Sequence, residues 1–242
     1  MNAGMTECRL DFAEMGIAGR LIKLSLVLFA LGVLIASPVR DADAASGGKP
    51  LRIVAFGDSL TAGYGLEQGQ GFVPVLQRAL VARGLDVDVV DAGVSGDTTA
   101  GGLARLDWVI DDTADAVIVE LGANDALRGY PPAQVKANLD AIVTRLTKRG
   151  LPVLLAGMRS PENWGRDYAD AFNAIYTDLS DKHGTLLYPF FLDGVALEQK
   201  LNLADGMHPN AAGIQVIVNR ILPSVEQLAA LAAARQKQAT AQ

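Results

Sequence analysis

From residue 51 onward, short apolar runs and segments of helical period take turns along the chain with little between them, and this alternation restricts the fold more than any other feature. The runs Leu51 to Phe56, Val87 to Asp91, Ala116 to Leu121, Pro152 to Ala156 and Leu186 to Tyr188 are rich in Val, Ile and Leu and bounded by turn residues, the pattern of short buried strands. Between and after them, residues 73–82, 99–110, 132–148, 167–182 and 211–231 carry apolar residues at helical spacing. Gly84, Gly150 and Gly184 each follow a predicted helix where a left-handed C-cap is wanted. Strands that alternate with helices pair in parallel, because right-handed crossovers leave few other arrangements. The expected fold class is therefore α/β, a single three-layer α/β/α domain over residues 51–231. A flexible lead-in, 45–50, precedes it and a solvated tail, 232–242, follows. With half of its residues hydrophobic and a fifth charged, the chain has enough apolar side chain for such a core.

The segment before the domain reads differently. Lys23 precedes LSLVLFALGVLIA (Leu24 to Ala36), an apolar run of 13 residues. A transmembrane helix needs about 20, a secretory leader only about 7 to 15. Small residues in ADAA (Ala42 to Ala45) fit a signal-peptidase site, so residues 1–44 read as a signal peptide cleaved after Ala44. The mature chain is then periplasmic or secreted, with no stable membrane span. The one cysteine, Cys8, leaves with the leader, which removes disulfide and thiol chemistry. A net charge of −6 argues against a polyanionic partner such as nucleic acid.

Ligands of open α/β sheets bind beyond the carboxyl ends of the strands, so the loops there deserve the closest reading. The first strand runs into GDSLTAGYG, which offers Ser59. A serine hydroxyl is a weak nucleophile until a base takes its proton, and the chain has two histidines. His183, before Gly184 at a predicted helix end, suits a capping role. His208 stands in LADGMHPNAAG, where Pro209 stops any preceding helix and Asn210 can cap the next. Asp205, three residues earlier, can fix the imidazole tautomer. Acyl transfer also needs donors for a developing oxyanion. Gly96 in SGDTT offers an accessible backbone N–H, and Asn124 in LGAND a side-chain amide.

In this order GDSLTAGYG, SGDTTAGGLARL, LGAND and DGMHPN closely resemble the four sequence blocks of the GDSL or SGNH hydrolase family. The likeness runs through nearly the whole mature chain. ELGANDALRGYPP, MRSPENWGRDYADAFNAIY and YPFFLDGV resemble the family's bacterial branch of esterases, lysophospholipases and thioesterases. The resemblance implies a flavodoxin-like five-stranded parallel sheet of order 2-1-3-4-5. It implies Ser59 as nucleophile, His208 as general base and then acid, and Asp205 as the residue orienting it. The backbone N–H groups of Ser59 and Gly96 and the Asn124 side chain would form the oxyanion hole. No cofactor or metal is implied. The substrate would be a small acyl ester or a lipid.

Several residues carry humbler expectations. Asp58 bonds loop amides, Asp111, Asp112 and Asp115 form a solvated turn, and Trp108 packs. Leu60, Tyr64, Leu127, Tyr130, Trp164 and Phe191 are the residues that can line an acyl groove. Three other readings compete. A carbohydrate deacetylase would use the same groups. In a nucleotide binder, Gly63, Gly65 and Gly69 would cradle phosphate, but their G-x-G-x-x-x-G spacing is one residue too long. A metal-dependent hydrolase would have to build its site from two histidines and no mature cysteine.

Overall fold

The computed structural model describes residues 49–240. Strand β1 (Leu51–Gly57) is buried from Ile53 to Gly57 on both faces, as its unbroken apolar run requires of a central parallel strand. It pairs in parallel with β2 (Val87–Gly93) on one side and β3 (Ala116–Glu120) on the other. Strand β4 (Val153–Ala156) then joins β3, and β5 (Leu186–Tyr188) joins β4. The sheet order is 2-1-3-4-5, as the resemblance implied. Strand β2, at one edge, alternates buried Val87 and Val89 with exposed Asp88 and Asp91, and these charges discourage edge-to-edge pairing.

Helices cover both faces. Short α1 (Ser59–Ala62) follows β1 directly, and α2 (Phe72–Ala82) follows it. Helix α3 (Thr99–Val109), the single turn α4 (Ala123–Leu127) and α5 (Pro132–Lys148) alternate with β2, β3 and β4. Then come α6 (Arg166–Asn173), α7 (Ile175–His183) and the long α8 (Ala211–Thr240). Helices α2 and α8 pack together on one face, while α3, α5 and α7 form a row on the other. Helix α5 shows why: Pro132 opens it at a position where its missing N–H is harmless. Val135, Leu139, Ile142, Val143 and Leu146 then fall on one buried stripe.

Several expectations change. The predicted helix 167–182 is two helices, with Ala174 between them, and Asn173 at the end of the first accepts a hydrogen bond from Ser160 N at 2.9 Å. The tail from residue 232, expected to be a fraying helix running into solvent, stays helical through Thr240, with Ala232 buried and Gln236 donating to Asp115 Oδ1 at 2.9 Å. That bond also removes Asp115 from the solvated turn, as its other oxygen accepts from Arg52 N at 2.8 Å. Trp108 is not packed but 90% exposed. His183 does not cap its own helix. Its Nε2 lies 2.6 Å from Asp140 Oδ1 on α5, a carboxylate that Lys182 also engages. The expected leader, residues 1–44, lies outside the described residues, as does most of the lead-in.

By length and composition Ala211–Ala239 could cross a bilayer. Its apolar residues have another use: Ile214, Ile217, Val218, Ile221, Val225 and Leu228 are buried in the core.

Candidate active site

The site begins where β1 can no longer continue. At Gly57 the backbone passes so close to Thr61 and Glu120 that a Cβ would overlap both side chains. Asp58 then caps α1, its Oδ1 accepting the Leu60 N–H at 3.0 Å, and Gly63, in the left-handed region, closes that single turn. Ser59 is the first residue of α1 and 9% exposed. The result is a hydroxyl presented at the carboxyl edge of the sheet.

His208 reaches it from the loop before α8. Leu203 N donates to His208 O at 2.7 Å, Asn202 bridges to Pro209, and Asn210 caps α8 by accepting from Ala212 and Gly213 N, each at 3.0 Å. These bonds fix the backbone on either side of the imidazole. His208 Nε2 lies 2.9 Å from Ser59 Oγ and His208 Nδ1 lies 2.7 Å from Asp205 Oδ2. Asp205 Oδ1 accepts two further bonds, from Met207 N at 2.9 Å and His208 N at 3.0 Å. The backbone donors His208 and Met207, and then the imidazole, pull this carboxyl down to about 2. As an anion it can only accept, so Nδ1 carries the proton and Nε2 is left to accept from Ser59. The Tyr64 ring lies 4.6 Å from the imidazole, centroid to centroid.

Gly96 lies in the loop after β2, and Asn124 is the second residue of α4, which follows β3 directly. Gly96 has φ +81°, a conformation that glycine adopts freely, and its carbonyl accepts from Arg128 Nη2 at 3.1 Å. Val94 N donates to Gly57 O at 3.0 Å, which ties the Gly96 loop to the end of β1. Asn124 bonds not to Ser59 but to its neighbour, with Nδ2 3.0 Å from Asp58 Oδ2.

Of the residues expected to line a groove, Tyr64, Leu127, Tyr130 and Trp164 are exposed. Trp164 Nε1 donates to Ala126 O at 2.8 Å, which holds the indole against the Asn124 turn. Phe191 is a correction: it is fully buried, edge-on to Phe72 at 5.0 Å, because the loop after β5 turns it into the core. Leu60 is also in the core. A cavity of about 380 Å³, lined among others by Thr147, Leu151, Pro152 and Arg235, opens far from these groups, near the amino ends of the strands.

Three supporting residues escape a reading of the sequence. Arg105 donates from Nε to Asp97 (2.7 Å), from Nη1 to Ala92 O (2.9 Å) and from Nη2 to Gly57 O (2.9 Å), so it clamps the ends of β1 and β2 to the Gly96 loop. Glu120, wholly buried, accepts from Thr61 Oγ1 at 2.7 Å and Asp58 N at 3.3 Å. Arg128 holds the Gly96 carbonyl. Glu120 left a signal, being the one charge in the apolar run AVIVEL.

The sequence model of the GDSL-like lipase/acylhydrolase family matches residues 55–216, a span that includes every polar group of the site. This chain is a member of that family. The Pseudomonas aeruginosa protein "Esterase TesA" is 41% identical over 177 residues, covering 73% of this chain and 88% of that protein. The Escherichia coli K12 protein "Thioesterase 1/protease 1/lysophospholipase L1" is 37% identical over 159 residues, covering 65% of this chain and 75% of that protein. Among solved structures, AlinE4, an SGNH-hydrolase family esterase, aligns with TM-score 0.64 at 43% identity, covering 75% of this chain and 98% of that one. The fold is that of the SGNH hydrolases, and the chain is a serine esterase of the GDSL type, a carboxylic ester hydrolase.

Proposed function

We propose that the protein is an exported esterase which cleaves aryl esters, lysophospholipids and thioesters through an acyl-serine intermediate. The hydrogen-bonded line from Ser59 through His208 to Asp205 carries this reading. Ser59 Oγ attacks the acyl carbon while Nε2 takes its proton, and Asp205 stabilises the imidazolium that results. The imidazolium then gives that proton to the departing alkoxide or thiolate. Water, activated by the same nitrogen, releases the acid and restores the serine. The N–H groups of Ser59 and Gly96 and the Asn124 amide receive the charge on the carbonyl oxygen.

The exposed aromatic rings of Tyr64, Tyr130 and Trp164 suit an aromatic leaving group or a lipid chain lying along the surface. The name of the Escherichia coli relative supports thioesters and lysophospholipids. Export is supported by the Lys23 flank, the 13-residue apolar run and the ADAA site.

Ser59→Ala should reduce release of p-nitrophenol from acyl esters by about 10⁴-fold or more, to the residual rate that binding and the oxyanion donors sustain, while leaving the unfolding midpoint within about a degree of the wild type. Undiminished turnover would remove the nucleophile assignment. A panel of acyl-chain lengths, with an aryl acetate, a lysophospholipid, an acyl thioester and a sugar acetate, ranks the substrates. Preference for the sugar acetate would favour the deacetylase instead. Amino-terminal sequencing of the mature protein from a periplasmic extract should begin near Ala45.

A further inference from the structure

Beside the nucleophile lie two buried carboxyl groups that the proposed reaction does not consume. Asp58, with no exposed surface, gives one oxygen to the Leu60 N–H and the other to Asn124 Nδ2, each at 3.0 Å. Among the described residues, the Asn124 side chain has no other hydrogen bond. An amide nitrogen carries two hydrogens in one plane, so fixing one of them fixes the direction of the other.

We propose that Asp58 is the positioning residue of Asn124, holding its amide so that the second N–H is aimed beforehand at the carbonyl oxygen on which charge develops. This rests on the oxyanion role given to Asn124 above. A donor that need not reorganise as the charge appears is worth far more than one that must, and that difference is what Asp58 supplies.

The surroundings fit such a role better than helix capping alone. Asp58 is anchored from behind, its N–H donating to Glu120, which Thr61 holds in turn. Among the described residues the buried Glu120 Oε1 has no hydrogen-bond partner, which makes it an unfavourable place for a second charge. Burial, and after it the Asp58 charge, push Glu120 well above its usual range. Burial lifts Asp58 to about 6, against the bonds from Leu60 and Asn124 that lower it. Of the two, Glu120 is the one held more firmly protonated by burial and by its neighbour's charge, so the negative charge falls on Asp58, the member that touches Asn124. A charge-assisted acceptor is roughly twice as strong as a neutral one.

Asp58→Asn separates the two roles. Asparagine is as good an N-cap as aspartate, and its carbonyl can keep the Leu60 bond. Its amide then faces the amide of Asn124, donor against donor. Kinetics of the full-length protein on a p-nitrophenyl ester provide the test, with Asp58→Asn, Asn124→Ala and the double variant measured together. Asp58→Asn should lower kcat about 10- to 100-fold with KM within about threefold. Asn124→Ala should lower it about 100-fold or more. In the double variant the loss should match Asn124→Ala alone to within about threefold.

Losses that multiply in the double variant, or an unchanged kcat in Asp58→Asn, would overturn the proposal. If Asn124→Ala itself keeps full activity, the oxyanion assignment fails first, and its failure is visible as such. Should Asp58→Asn not fold, NMR of the wild-type protein decides. One of the two Asn124 side-chain amide protons, assigned by its loss in Asn124→Ala, should exchange slowly with water and the other rapidly. Rapid exchange of both would end the idea.

Discussion

Asp205 accepts three hydrogen bonds with two oxygens, and only one of the three concerns the imidazole. Asp205→Asn is therefore an informative change. Its carbonyl can keep the Met207 and His208 amides, so the loop stays folded, while its NH₂ group faces Nδ1. That nitrogen must then accept, the ring proton moves to Nε2, and the base toward Ser59 is lost. The expected loss in kcat is about 10³- to 10⁴-fold with an unfolding midpoint close to the wild type. A kcat within tenfold of the wild type, read from ester hydrolysis, would show that the carboxylate does not set the tautomer. At this scale the polar residues of the line were legible because Ser59 follows the first strand at the edge where such sheets bind ligands, and because the blocks GDSLTAGYG and DGMHPN resemble the family's in the same order. Their supports were not legible. Thr61 meets Glu120 across 59 residues and Asn124 meets Asp58 across 66, and no local pattern encodes such pairs. Phe191 and Trp108 were misjudged for a related reason, since an aromatic residue in a loop or on a helix does not announce which way it turns.

The element most out of character is β3, which ends on a buried acid in a run otherwise wholly apolar. Burial and the nearby Asp58 charge raise Glu120 well above 4.5, and burial raises Asp58 from 3.8 to about 6. A raised value in the folded state means that the folded chain keeps protons which the unfolded chain has already released. The stability linked to them is complete below about pH 4 and is lost as pH rises, through about 6 for Asp58 and through the raised value of Glu120. Glu120→Gln removes one of these titrations and retains a carbonyl for Thr61. Denaturant midpoints taken from about pH 5 upward should fall less steeply in the variant, by at most about 1.4 kcal/mol per pH unit for the proton removed. Equal slopes would mean that Glu120 titrates alike in both states. Element positions otherwise followed the sequence closely, because apolar period and cap residues are local signals. The pause at Ala174 carried no such signal, as no glycine or proline marks it.

Across the whole molecule the two ends of the sheet serve different ends. The carboxyl edge carries Ser59 in α1, Gly96 in the loop after β2 and Asn124 in α4, and the α8 entry loop brings His208 to it. Alternation of strands and helices implied a parallel sheet and so pointed to that edge, but it could not order the strands. The order 2-1-3-4-5 depends on pairings between distant segments and was reached through the family resemblance. The amino edge is where the last turns of α8 arrive. There Ala232 is buried, Gln236 meets Asp115 just before β3, and Arg235 Nη2 lies 3.4 Å from Arg149 O. A chain ended at Leu231 should accordingly lose about 1 to 3 kcal/mol of stability, the usual scale for a few buried contacts and hydrogen bonds. Its kcat and KM should stay at wild-type values, because nothing removed touches the opposite edge. Chemical denaturation and ester kinetics on the same preparation check both halves. An unchanged midpoint would make the last turns idle, and a fall in kcat at full folding would mean that the helix transmits strain along its length to the loop holding His208.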